Sequence, residues 1–204
     1  MEKTIGQMWD EKFSREGYFY GFEPNVFIAS QTDLLAPKGK VLCLGEGEGR
    51  NAVYLAKKGF DVTALDASPI GISKALQIAG SQDVSFKVQL LDLEQWEPTE
   101  SYDGIITSYL HLEEPLRTKT FQQAVQALNI GGYFIGEFFS IAQIPRDSGG
   151  PKKPSLLYTI DSLESIFNMD ECEIVLLQEC EVPLDEGKGH QGEALVIRVI
   201  VKKV

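Results

Sequence analysis

Histidine and cysteine are scarce: 204 residues hold two histidines, His111 and His190, and three cysteines. Cys43, Cys172 and Cys180 are scattered, with no pair at a metal-binding distance, so no metal site is expected. An odd, dispersed set of thiols also excludes a disulfide framework and points to the reducing cytoplasm. Positive charge is in short supply, with 19 Lys and Arg against 30 Asp and Glu and a net charge of −11. A surface of that sign disfavours nucleic acid and anionic membranes as partners. No apolar run approaches the ~18 residues of a membrane-spanning helix. The opening "MEKTIGQMWDEKF" has no apolar stretch of a secretion signal. Internal repeats and low-complexity tracts are absent too, which leaves an ordinary cytoplasmic domain with 43% hydrophobic residues to build a core.

From residue 40 the chain alternates short apolar runs with helical patterns. "KVLCL" (40–44), "DVTALD" (61–66), "VSFKVQLLDL" (84–93), "YDGIITSYL" (102–110) and "GYFIGEFFS" (132–140) read as strands. Between them, 50–59, 67–80 and 116–129 read as helices, the second with Ser68 at its N-cap and Pro69 at its first position. Strand–helix alternation at this spacing predicts βαβ units and a parallel sheet covered on both faces. "TIDSLESIF" (159–167) reads as a short helix. Two β-rich runs, 172–184 and 193–204, are separated by too few residues for a crossover, so they pair antiparallel. The Pro- and Gly-rich segment 141–158 is longer than an ordinary structureless loop and is either functional or disordered. The chain is expected to form one domain over 1–204: an N-terminal arm (1–39), a cofactor-binding half (40–140), and a substrate loop with a closing hairpin (141–204).

The turn "LCLGEGEGRN" (42–51) leaves the first strand and enters the first helix, where doubly wound sheets bind ligands. Gly47, Gly49 and Ala52 satisfy G-x-G-x-x-A, and Asp66 follows Gly47 by 19 residues, so a dinucleotide is compatible with the spacing. The charge is not. Glu46 and Glu48 beside a pyrophosphate cost on the order of 4 kcal/mol per like-charge contact near 4 Å at an effective dielectric of about 20. A ligand with a sulfonium and an ammonium and no phosphate, such as S-adenosylmethionine, reverses the argument. It still needs the glycines for backbone approach and Asp66 for its ribose. Asp92, ending the third strand, is placed to accept from an adenine amino group, with the Leu93 N–H on the ring.

With these residues in view, "VLCLGEGEGRNAVYLAKKGFDVTALDAS" resembles the first half of class I S-adenosylmethionine-dependent methyltransferases. The entry "MWDEKFSREGYFYGFEPNVFI" is similar to the N-terminal segment of tellurite-resistance and thiopurine-type members. The resemblance implies a doubly wound, seven-stranded, mostly parallel α/β sheet with an antiparallel C-terminal strand, and an N-terminal segment folded over the cofactor. Such families usually carry an acid two residues before the first glycine; Cys43 stands there, which moves the acid to Glu46. The cofactor set expected is Tyr20, Gly45, Glu46, Gly47, Gly49, Asn51, Asp66, Ala67, Asp92, Leu93 and Ser108. Glu46 is expected at the methionine end, and Glu48 at the helix N-terminus.

Methyl transfer is an in-line displacement that needs alignment first and a base only when the nucleophile carries a proton. His111, after the fourth strand, and His190, in the closing hairpin, are the candidates to face the acceptor. Arg146, Lys152 and Lys153 are placed to draw in an anion. The expected function is methyl transfer to a small soft nucleophile, a thiol or a chalcogen oxyanion such as tellurite or selenite, by a monomer or weak homodimer. A nicotinamide-dependent oxidoreductase and a non-catalytic S-adenosylmethionine-binding module are the alternatives.

Overall fold

The computed structural model describes residues 3–204. Its centre is a seven-stranded sheet in the order β3-β2-β1-β4-β5-β7-β6. The strands are β1 (Lys40–Leu44), β2 (Asp61–Asp66), β3 (Lys87–Leu90), β4 (Tyr102–Ser108), β5 (Leu128–Phe139), β6 (Cys172–Glu186) and β7 (His190–Lys203). The first five run parallel, while β7 lies antiparallel between β5 and β6. Helices α1 (Ile5–Phe13), α2 (Val26–Ser30), α3 (Arg50–Lys57), α4 (Pro69–Ser81), α5 (Leu116–Gln126) and α6 (Ile160–Phe167) complete the chain.

Both faces of the sheet are covered, which is why its strands read as unbroken apolar runs. In β1, Leu42 and Leu44 join Phe121, Phe134, Phe138 and Phe167 on one face. Val41 and Cys43 join Phe27, Ile28, Leu55 and Ile135 on the other. Each such side chain is fully buried and contributes roughly 1.5–3 kcal/mol.

Element boundaries differ from the sequence reading where side chains intervene. The third strand, expected over 84–93, is only Lys87–Leu90: it is an edge strand, and the Asp92 carboxylate turns the chain by accepting from Glu94 N–H at 3.0 Å. The closing strands extend further than expected and leave only residues 187–189 as a turn. His190 therefore opens a strand and is 2% exposed, not part of a solvated loop. Segment 141–158 is ordered by two 3-10 turns, by Tyr158 Oη donating to Leu110 O at 2.6 Å, and by Arg117 donating to Ser155 O.

The N-terminal arm is pinned at several points. Asp10 accepts from Ser68 Oγ and from Ile70 N–H at the start of α4. Glu48 accepts from Phe19 N–H at 2.7 Å and pairs with Lys74 at 2.8 Å. Phe19 O accepts from the N–H groups of Lys188 and Gly189. At Gly187 and Gly189 a Cβ would lie 2.5 Å from Gly21 N and from the Tyr20 ring, so the arm lies directly on the hairpin turn. No helix among the described residues is long and apolar enough to cross a membrane.

Candidate active site

A cleft of about 720 Å3 opens at the carboxyl ends of the parallel strands, within the range of small-molecule sites. Of the expected cofactor residues, Tyr20, Gly45, Glu46, Gly47, Asp66, Ala67, Asp92, Leu93 and Ser108 line it, as do His111 and His190. Gly49 and Asn51 do not. Gly49 stands at the N-cap of α3 with φ 97° and only 2.6 Å between a built Cβ and Ala75, a helix-packing position. Asn51 accepts from Asn25 N–H and donates to Ser108 Oγ, so it clasps the arm to the end of β4.

The two loop glutamates have different positions. Glu48 turns away from the cleft to hold the arm; it is no free charge at the helix N-terminus. Glu46 faces the cleft and accepts from Ala52 N–H at 2.7 Å, capping a helix whose own N-cap is a glycine. Burial pushes its pKa up to about 7, against the Ala52 N–H and Arg50. Cys43 lies beneath it with its thiol pKa raised by burial and by Glu46. Asp66 accepts from Gly47 N–H and Ser68 N–H, each at 2.8 Å, and so shapes the glycine turn. Each carboxylate oxygen keeps a further lone pair for a ligand. Burial raises its pKa as well.

On the other flank, beside β4, β5 and β7, lies a buried polar network. Glu137, 2% exposed, accepts from Tyr109 Oη (2.8 Å), Asn25 Nδ2 (2.6 Å) and Arg198 Nε (2.7 Å). Tyr109 has φ 53°, a left-handed backbone that a bulky residue adopts only when its surroundings impose it. Glu186 Oε2 lies 3.1 Å from Arg50 Nη2 and 2.9 Å from His190 Nδ1. The His190 ring sits 4.5 Å from Tyr20 and 4.4 Å from Tyr109. Burial lowers the His190 pKa below 6.5 against the opposing pull of Glu186, so the imidazole is neutral at pH 7. Burial holds His111 much lower, at about 3. Burial raises the Glu186 pKa, but His190 and Arg50 more than offset that and leave it below the ordinary value.

The basic residues of the 141–158 segment each have an acidic partner, and Lys153 also lines the cleft. Arg146 pairs with Glu181, Lys152 with Asp147 and Lys153 with Glu113. Arg50, Glu186, Glu137 and Asn25 escaped the sequence reading. Arg50 carried a signal: a cation in the first turn of a helix opposes the macrodipole and calls for a buried acid nearby.

Residues 41–132 match the methyltransferase domain family model. That stretch is a methyltransferase domain by its sequence pattern. Over 96 residues the chain is 29% identical to the probable S-adenosyl-L-methionine-dependent methyltransferase TehB of Haemophilus influenzae, across 46% of this chain and 34% of that protein. Over 122 residues it is 36% identical to the 2-heptyl-1-hydroxyquinolin-4(1H)-one methyltransferase of Mycobacteroides abscessus, across 55% and 52%. The chain thus spans a third to a half of these curated relatives. The crystal structure of TehB superposes with a TM-score of 0.72 at 19% identity, over 98% of this chain and 67% of that one. The N-methyltransferase NodS of Bradyrhizobium japonicum, in complex with S-adenosyl-L-homocysteine, superposes with a TM-score of 0.68 at 17% identity, over 97% and 98%. At these identities the superpositions show the fold of the methyltransferase domain.

The residues present fit the cofactor. Gly45 and Gly47, at φ 62° and 64°, keep side chains off the loop. Glu46, with its pKa near 7, suits an ammonium that restores its charge. Asp66 and Asp92 offer carboxylates at the ends of β2 and β3, chemistry that suits hydroxyl and amino donors, beside the apolar Leu65, Leu91 and Leu93. Among the described residues no three His, Cys, Asp or Glu side chains gather as a metal group.

Proposed function

We propose that the protein transfers the methyl group of S-adenosylmethionine to a small soft nucleophile, a thiol or a chalcogen oxyanion. The observation that carries this reading is the two-sided cleft. Acids from the glycine loop, β2 and β3 line one flank, and neutral His190 with Tyr20 and Tyr109 closes the other. S-adenosylmethionine, when bound, supplies an electrophilic methyl group. The chain supplies alignment, worth up to about 7–11 kcal/mol in intramolecular analogues. The arm, tied to the hairpin by Phe19 and to the loop by Glu48, walls the cleft through Tyr20 and keeps water from the reacting atoms.

Glu186 favours a second reading. It fixes the His190 Nδ1 tautomer, which leaves Nε2 to take a proton. The relative from Mycobacteroides abscessus is named for a hydroxyquinolone, and an acidic hydroxyl is an acceptor of that kind.

Calorimetric titration with S-adenosylmethionine, S-adenosylhomocysteine and NAD tests the cofactor. Labelled methyl transfer to thiols, selenite, tellurite and N-hydroxyquinolones tests the acceptor class. Binding of NAD without S-adenosylmethionine overturns the proposal. Cofactor binding with no transfer across the panel identifies a non-catalytic module.

A further inference from the structure

Arg50 carries two costs that its ion pair with Glu186 and its place over the Tyr109 ring offset only in part. It is the first residue of α3, where a cation opposes the helix dipole. Its side chain is 8% exposed, yet only Nη2 finds an acceptor, Glu186; Nη1 is buried and donates to nothing among the described residues. Leaving a buried charged donor unmade is expensive. Arg50 also lines the cleft, beside His190. The two side chains share Glu186 Oε2, so one buried carboxylate fixes both. Fixing Nδ1 of His190 leaves Nε2 without a partner among the described residues.

The charges around this pair are arranged for an anion that forms in place. Glu186 is already engaged by Arg50 and His190, and Glu137 by Arg198, Tyr109 and Asn25. Of the other acids on the cleft, Glu46, Asp66, Asp92 and Glu94 belong to the glycine loop and the β2 and β3 side, while Glu113 and Glu114, after β4, lie against Lys153 and Arg117. The rings of Tyr20, Tyr109 and Phe139 lie 4.4–5.1 Å from the His190 ring and pack around it. His111 is the other histidine on the cleft, and its Nδ1 is buried without a partner.

Resting on the methyltransferase reading, we infer that the acceptor carries a dissociable proton, on an acidic hydroxyl or a thiol, and that Arg50 and His190, held by Glu186, ionise it. The acceptor's X–H bond breaks and its proton passes to His190 Nε2. The electron pair left on X, stabilised by Arg50 Nη1, forms the bond to the methyl carbon as the carbon–sulfur pair leaves with sulfur. His190 then releases its proton to solvent. Arg50 and His190 are catalytic residues in this scheme, and Glu186 is a positioning residue. A fully ionised oxyanion would have no use for the base.

The test uses 4-nitrophenol, whose ionised form is coloured, titrated into the full chain saturated with S-adenosylhomocysteine. The bound phenol should ionise at least about one pH unit below the free one, the effect of an adjacent unpaired cation. Arg50→Gln should return it to the free value while the dissociation constant of S-adenosylhomocysteine stays unchanged. Arg50→Lys, which keeps the charge, should retain part of the shift and covers the case in which the glutamine variant does not fold. Glu186→Gln should lose the Nδ1–H tautomer of His190 in nitrogen NMR. Absence of 4-nitrophenol binding, or ionisation unmoved by Arg50→Gln, overturns the inference. So does a tenfold weaker S-adenosylhomocysteine affinity in Arg50→Gln, which would place the guanidinium on the cofactor's carboxylate. Failure of the unmodified protein to bind S-adenosylhomocysteine would instead sink the methyltransferase reading.

Discussion

Replacing Glu46 by glutamine removes a carboxyl whose ionisation the fold opposes. Burial lifts its pKa from 4.5 to about 7, and the Ala52 N–H, Arg50 and the Asn51 N–H only partly offset that. A folded-state pKa above the unfolded one means that the folded chain holds the extra proton between these values. The stability this group contributes is therefore complete below about pH 4.5 and lost as the pH rises through about 7. The difference corresponds to about 3 kcal/mol. Glutamine keeps an oxygen for the Ala52 N–H and cannot ionise. Glu46→Gln should thus match the parent near pH 4.5 and exceed it by up to about 3 kcal/mol near pH 8. In a chain of this length that raises Tm by about 6–12 °C. Thermal unfolding followed by circular dichroism across that range is the assay. A gain of equal size at every pH, or none at any, refutes the reasoning. The same carboxyl should give up its proton when an ammonium binds beside it. Calorimetry near pH 7 should then show proton release on S-adenosylmethionine binding in the parent and none in Glu46→Gln.

Asp66→Ala should weaken S-adenosylhomocysteine binding by about 1.5–3 kcal/mol, the worth of hydrogen bonds to a charged group, with the additional loss of the Gly47 N–H partner; unchanged affinity in calorimetry removes Asp66 from the site. Glu48→Ala takes away the acceptor for Phe19 N–H and the partner of Lys74, so amide exchange over residues 15–22 should quicken while β1 and β4 stay protected. With any acceptor that carries a proton, the rate should rise with pH as His190 loses its charge, with a midpoint below pH 6.5. Burial, Arg50 and Lys12 lower this pKa and Glu186 raises it, with the lowering dominant. A midpoint above 6.5 contradicts that balance. Glu186→Gln should move the midpoint lower still.

The strand and helix pattern was legible because buried parallel strands and amphipathic helices write their period into adjacent residues. β1 and β2 coincide with the apolar runs at 40–44 and 61–66, and the antiparallel closing hairpin followed from a connection too short to cross the sheet. That Gly45, Gly47, Asp66 and Asp92 line one cleft was legible for the same reason: they lie at strand ends, which a sequence can locate. The buried polar network on the other flank was not. Asn25, Arg50, Glu137, Glu186 and Arg198 come from five separate segments, and Asn25 and Glu186, 161 positions apart, meet through a 3.3 Å hydrogen bond.

Sequence alone determined the class of fold, and it set the expectation of a ligand at the glycine turn that is cationic and not a pyrophosphate. Each of these follows from local geometry and local charge. Tertiary structure decided what the charges do. Both glutamates of "GEGEG" are adjacent in the chain to glycines of identical backbone sign; the sequence placed Glu46 toward the ligand and Glu48 at the helix N-terminus, but not the partners that hold them. Packing against the arm gives Glu48 the Phe19 N–H and Lys74, while Glu46 is left facing the cleft with its pKa pushed up by burial. His190 likewise reads as a loop residue until β6 and β7 are paired, which buries its imidazole against Glu186. Desolvation and partner geometry are sums over distant segments, and that is why they wait for the fold.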